Sequence, residues 1–200
     1  MRDENAFTMR NLSDKQILSI YTGVAKQHFP EAELKPVAII ERMLEDGGYE
    51  GIGLFFEDKL VGYAFFVKVP LNDVLLLDYY AVLEEFRNGG TGSLFLQKMQ
   101  DSYQHKAAII LETEEPDQAN NQAEYDIRLR RNLFYERNGA ISTDVKSRLY
   151  IVDFGIFYIP LLKTFTNSQI GKQLDCIYRY MFDEEDYRKY VHLRREVQEE

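Results

Sequence analysis

The residues best suited to chemistry fall in one short stretch, Val82-Leu83-Glu84-Glu85-Phe86-Arg87-Asn88-Gly89-Gly90-Thr91-Gly92-Ser93-Leu94. Three glycines in four positions allow a loop to turn its backbone N–H groups inward. A helix starting directly behind them adds the partial positive charge of its N-terminus. Such a loop cradles a phosphate without any basic side chain. Gly90-x-Gly92-x-x-Phe95 comes near the dinucleotide fingerprint, and Glu112 falls about twenty residues on, where a ribose-binding acid would stand. Phe95 in place of a small third residue, the mid-chain position and the hairpin upstream count against that reading. A Walker loop is excluded, because no Lys-Ser/Thr follows the glycines. No Gly-x-Ser-x-Gly occurs, and Cys176 lies far along the chain, so a covalent nucleophile has no obvious carrier. His28, His105 and His192 are scattered and suggest no metal site.

These residues need elements to hold them. Ser13-Asp14-Lys15-Gln16 has capping-box spacing, and Ile17, Ile20, Tyr21 and Val24 recur at helical spacing behind it. A first helix is expected to run to about Phe29-Pro30. Pro36 suits the first turn of a second helix with Val37, Ile40 and Leu44 on its apolar face, ended by Gly47-Gly48. Residues 51–56 and 60–69 are rich in β-branched and aromatic types and joined by Glu57-Asp58-Lys59, which predicts an antiparallel hairpin. Residues 75–82 form the strand that delivers the glycine loop, 93–103 the helix behind it, and 107–111 a buried strand. A long helix over 121–138 stops at Gly139, and strands over 146–152 and 154–162 complete the sheet. The order describes an α/β fold, a mixed central sheet flanked by helices, over residues 1–165. Residues 166–200 read as an appended C-terminal helical tail. Its stripe Ile170, Leu174, Ile177, Tyr178 and Met181 is too apolar to face solvent, and residues 183–186 cap a final charged helix. The stripe is expected to cover the sheet edge, or else a partner subunit in a homodimer.

Arg87-x-x-Gly90-x-Gly92 resembles the Q/R-x-x-G-x-G/A pyrophosphate loop of the GNAT acetyltransferase superfamily. Phe134-Tyr135-Glu136-Arg137-Asn138-Gly139-Ala140 is similar to that family's second signature, and the order of elements over residues 13–162 agrees with it. The resemblance implies acetyl-CoA as acyl donor and no metal. It implies that the amides of Arg87, Asn88, Gly89, Gly90, Thr91, Gly92 and Ser93 hold the coenzyme A pyrophosphate. It also implies that the strand splays from its neighbour, commonly at a β-bulge, so that Tyr80, Ala81 and Val82 offer backbone groups to the pantetheine arm. Tyr135 matches the tyrosine that protonates the departing thiolate, and Glu112 the strand glutamate that members acting on protein amino termini use as a base. Asp78 is the rival base, on the preceding strand and sharing side-chain parity with Tyr80 and Val82.

Two arginines depart from the family pattern. Arg128 and Arg131 stand seven and four residues before the tyrosine, near its face of the helix. They could contact a cofactor phosphate or a substrate carboxylate, or pair on the helix surface with Glu124. Glu114-Glu115-Pro116-Asp117 forms an acidic lip. The implied reaction is direct attack of an amine on the thioester in one ternary complex. The alternatives are a catalytically idle acyl-CoA-binding regulatory module and the dinucleotide enzyme above.

Composition narrows the field further. Of 200 residues, 45% are hydrophobic and 28% charged, enough for a sizeable core. A net charge of −9 argues against nucleic acid as a partner and favours a small-molecule or peptide amine. No apolar run approaches membrane-spanning length, and Met1–Arg10 lacks the apolar region of a secretory signal. With a single cysteine there is no disulfide framework, and a cytoplasmic location is expected.

Overall fold

The computed structural model describes residues 6–195. The first five residues of the Met1–Arg10 segment and the last five of the charged C-terminal segment lie outside the described residues. Eight strands and seven α-helices alternate along the described chain: β1 (Phe7–Leu12), α1 (Asp14–Thr22), α2 (Ala25–His28), α3 (Val37–Glu45), β2 (Tyr49–Phe56), β3 (Lys59–Lys68), β4 (Val74–Val82), α4 (Thr91–Ser102), β5 (Ala108–Glu114), α5 (Gln122–Arg137), β6 (Ile141–Leu149), β7 (Val152–Pro160), α6 (Asn167–Met181), α7 (Glu184–Tyr190) and β8 (Val191–Arg195). The strands make one sheet in the order β1-β2-β3-β4-β5-β7-β6-β8. Only β4 and β5 run parallel. One face carries α1, α3 and α6 over Ile17, Ile40, Met43 and Leu174; the other carries α4 and the end of α5 over Phe95, Leu96, Met99 and Tyr135.

The mixed α/β architecture is as the sequence predicts, with four local differences. The capping box at Ser13 forms, but Gly23 stops the helix, so the expected single helix is two, α1 and α2. A strand, β1, precedes it; with only Phe7 and Leu12 fully buried, its pattern carries no clear alternation. The last strand pair turns at Tyr150-Ile151, so β6 starts at Ile141, earlier than 146. Its inward positions include Thr143 and Ser147, polar residues that mask the period of two. Finally, the C-terminal segment is not wholly helical. After the seven residues of α7 the chain turns into β8, which pairs with β6.

Two features of the sheet shape the site. β4 pairs with β5 only from Val74↔Ala108 to Leu77↔Leu111, after which the two parallel strands part. At the same point the β3–β4 register slips: Phe65 faces Tyr79 and Phe66 faces Leu77, leaving Asp78 as the extra residue of a bulge. Beyond the slip, residues 79–82 pair on the β3 side alone. The apolar stripe of α6 is fully buried on the chain's own sheet, in one core with α1 and α3 and not at the edge.

Candidate active site

Where β4 and β5 part, a cleft of about 600 Å³ opens between them and joins the two faces of the sheet. Its walls include Tyr80, Ala81, Val82, Arg87, Asn88, Gly90, Gly92 and Ser93 at one end, Tyr135 along one side, and Glu33, Lys35, Asp78 and Glu112 at the other end. Of the expected loop residues, Arg87, Asn88, Gly90, Gly92 and Ser93 border one space with both expected catalytic residues, while Gly89 and Thr91 do not line it. Thr91 is buried as the first residue of α4.

At the loop end, Gly90 takes φ +84° and stands as N-cap of α4 with no side chain to cap the helix. The first-turn amides therefore have no helical acceptor and no capping oxygen. A Cβ on Gly89 or Gly90 would meet nothing within 4 Å, so the space before the helix is open. Gly92 is small for another reason: a Cβ there would sit 3.2 Å from the Phe134 ring, which packs α5 against α4. The Tyr80 hydroxyl donates to the Gly92 carbonyl at 2.7 Å and braces β4 against the helix. Arg87 folds back, its Nε donating to the Val82 carbonyl at 2.8 Å, so that carbonyl is already engaged.

Tyr135 lies late in α5 on the α4 face, 8% exposed, its ring 5.2 Å from Phe134 and 6.4 Å from Tyr80. Burial pushes its phenol up to about 12, with Arg131 opposing the shift, so it holds its proton at neutral pH.

Asp78 and Glu112, the two expected acids, are in different states. The bulge overturns the expected parity: Asp78 faces the α1/α3 side with Tyr79, while Tyr80 and Val82 face α4. The Asp78 side chain is fully buried and both its oxygens are taken, Oδ1 by Lys35 Nζ at 2.6 Å and Oδ2 by the Tyr49 hydroxyl at 2.7 Å. Burial opposes the charge on Lys35, but Asp78 and Glu112 more than offset it and hold its pKa above the ordinary lysine value. Glu112 receives the Tyr178 hydroxyl and, at 3.3 Å, the Ser147 hydroxyl, both on Oε1. No described residue donates to its Oε2. Burial raises the Glu112 pKa, opposed by Lys35 and the two hydroxyls and reinforced by Asp78.

The arginines of α5 do not pair with Glu124, the helix-surface partner expected of them. Arg128 pairs with Glu114 at 2.8 Å and donates to the Glu115 carbonyl, and Arg131 pairs with Glu114 at 2.9 Å. Glu124, the expected partner, instead accepts from Asn120 and anchors the helix start through Asn121. The acidic lip thus neutralises both arginines, a cross-element arrangement that spacing along one helix cannot reveal.

Two wall residues, Glu33 and Lys35, and two residues that hold Glu112 from behind, Ser147 and Tyr178, have no place in the motif reading. Glu33 ends a single 3₁₀ turn between Pro30 and Pro36, with a buried Oε1 that has no hydrogen-bond partner. Burial, then Glu114, pushes its carboxyl up to about 7, against Arg131, Arg128 and Lys35. Tyr178 carries one available signal, since a phenol inside an apolar stripe must find a buried acceptor.

Comparison with known proteins agrees with this architecture. The model of the acetyltransferase (GNAT) family matches residues 16–126, more than half of the chain. No curated protein sequence matches it. Among solved structures, a GNAT-family protein from Bacteroides thetaiotaomicron superposes with a TM-score of 0.65 at 16% identity, over 84% of this chain and 93% of that one. The ribosomal-protein-S18-alanine N-acetyltransferase of Escherichia coli gives 0.56 at 19% identity, over 80% and 97%. Spermidine N-acetyltransferase from Vibrio cholerae, solved with CoA and spermine, gives 0.57 at 12% identity, over 80% and 98%. At these identities the likeness is one of fold.

Proposed function

The chain belongs to the acetyltransferase (GNAT) family, and on that premise we propose that it moves an acetyl group from acetyl-CoA to an amine of a small molecule or peptide, by direct attack within one ternary complex. The observation that carries the proposal is the parting of β4 and β5 at the Asp78 bulge, which opens one cleft between an uncapped helix N-terminus and a half-free carboxylate.

The residues present fit coenzyme A. The N-cap has no side chain, Gly89 and Gly90 face open space, and the first-turn amides of Thr91, Gly92 and Ser93 suit a pyrophosphate. Residues 80–82 have no strand opposite them on the β5 side, so main-chain groups there other than the Val82 carbonyl, which Arg87 holds, can pair with an extended amide-bearing arm. Acetyl-CoA would supply the activated thioester. Glu112 Oε2 would accept the proton of the incoming ammonium, and Tyr135 Oη would hold the proton that the departing thiolate requires. Asp78, with both oxygens engaged, serves as a fixed buried partner of Lys35.

Among the described residues no helix is long and apolar enough to cross a membrane. Cys176 is exposed and unpaired, which supports a reducing, cytoplasmic setting. The net charge of −9 favours cationic acceptors.

The test is release of CoA thiol from acetyl-CoA across a panel of polyamines, small amines and peptide amino termini, with Tyr135→Phe beside the wild type. The variant is expected to lose roughly ten- to a thousandfold in turnover with acetyl-CoA affinity nearly unchanged. Acetyl-CoA binding with no turnover on any amine would favour the idle module instead. No thermal stabilisation by acetyl-CoA would remove both readings.

A further inference from the structure

Glu112 and Asp78 sit on neighbouring strands, and their hydrogen bonds differ in one respect. Asp78 has a donor on each oxygen, Lys35 on one and Tyr49 on the other. Glu112 has two donors on Oε1 and none from any described residue on Oε2. Both donors lie beyond the expected motifs. Ser147 comes from an inward position of β6, and Tyr178 from the middle of α6. The Tyr178 hydroxyl also lies 2.9 Å from Ser147 Oγ, so the three groups form a closed set. Tyr178 is fully buried, held among Ile170, Leu174, Ile177 and Met181, which leaves its ring little freedom to move.

We propose that Tyr178 is a positioning residue: backed by Ser147, its hydroxyl pins one oxygen of Glu112 so that the other is presented to the amine, and α6 thereby completes the active site. This rests on the reading of Glu112 as the base. A carboxylate on a flexible side chain samples several rotamers, and fixing one of them places the accepting oxygen where an amine proton can reach it. Donation to the carboxylate also favours its charged form against burial. The other groups facing Glu112 are Lys35 before α3 and Asp78 and Tyr79 on β4. Lys35 and Asp78 act on it in opposite directions and are paired with each other. That leaves the hydroxyl pair as the adjustable part.

The experiment follows the side-chain carboxyl carbons of ¹³C-glutamate-labelled protein by NMR across pH, in the wild type, Tyr178→Phe and Ser147→Ala, with Glu112→Gln identifying the resonance. The pH profile of acetyl-CoA-dependent turnover is recorded on the same proteins. Loss of the donor should move the Glu112 titration in Tyr178→Phe to higher pH by roughly one pH unit, and in Ser147→Ala by less in the same direction. The acid limb of the activity profile should move with it. Turnover at neutral pH should drop roughly tenfold in Tyr178→Phe and recover as pH rises, with acetyl-CoA affinity unchanged. A folded Tyr178→Phe whose Glu112 titration stays in place, whatever its loss of thermal stability, overturns the proposal. If that variant does not fold, an unmoved titration in Ser147→Ala overturns it equally. Full activity in Glu112→Gln is a separate outcome that removes the base assignment itself, and with it the positioning role.

Discussion

At the α4 end of the cleft the groups on offer are main-chain amides from one contiguous stretch, whereas at the Glu112 end they are side chains gathered from several separated ones. The first end is set by a left-handed glycine, Gly90, and an uncapped helix. The second depends on Glu33 and Lys35 before α3, Asp78 on β4, Glu112 on β5, Ser147 on β6 and Tyr178 on α6. Main-chain groups are present whatever the side chain, so the loop end should tolerate most substitutions except where φ is positive or, at Gly92, where a side chain would meet the Phe134 ring. The other end should fail one side chain at a time, because each loss except that of Glu33 strands a buried partner.

The contrast is tested most severely by Lys35→Met. It leaves the Asp78 carboxylate buried with Tyr49 as its remaining donor, and breaking a buried pair of this kind is expected to destabilise the fold by about 3–5 kcal/mol. Denaturant unfolding would show it, and a change below about 1 kcal/mol would mean the pair is less isolated than its burial indicates.

Next in size is Gly90→Val. A branched residue at φ +84° is strained by roughly 1–2 kcal/mol, so the variant should fold at a lower midpoint. Its thermal stabilisation by acetyl-CoA should be largely lost. Undiminished stabilisation would separate the loop from the cofactor.

Glu33→Gln is expected to act in the opposite sense. Its carboxyl sits near 7 in the folded protein, above the ordinary carboxylate value, so the native state binds the extra proton. Wild-type stability should therefore fall as pH rises from about 4.5 through about 7. The glutamine variant lacks that loss, so it should be more stable than wild type at pH 8, by on the order of 1 kcal/mol, and close to it at pH 4.5. Thermal midpoints at the two pH values test this, and an equal difference at both would contradict it.

The smallest effect belongs to Ser93→Ala. Its exposed side chain lies where only the amide is needed, so acetyl-CoA affinity should change less than about twofold. A large loss would show that the loop end also depends on side chains, and the contrast would blur.

The same contrast explains what was legible in the sequence. The glycine loop and Tyr135 each sit in a contiguous motif, and local spacing carries enough information to place them. The parity of Asp78 was not legible, because a bulge inserts one residue that a count by twos cannot see. Strand β1 escaped because an edge strand with two buried residues has little period to detect. The partners of Arg128 and Arg131 lie on the acidic lip, reached only once β5 and α5 are packed. Tyr178 was placed correctly on a buried face, yet its hydroxyl meets an acid 66 residues earlier in the chain, a distance no helical period spans.

That separation has a consequence for how the molecule comes into being. A polypeptide leaves the ribosome from its N-terminus, and domains begin to fold as they emerge. The glycine loop, Glu112 and Tyr135 are all made before α6, and until α6 arrives the sheet face of Val145, Leu149 and Ile156 lacks part of its cover. On the proposed positioning role, a nascent chain that has not yet delivered Tyr178 would present its glycine loop while Glu112 is still unsecured, so competence for base catalysis would wait for α6.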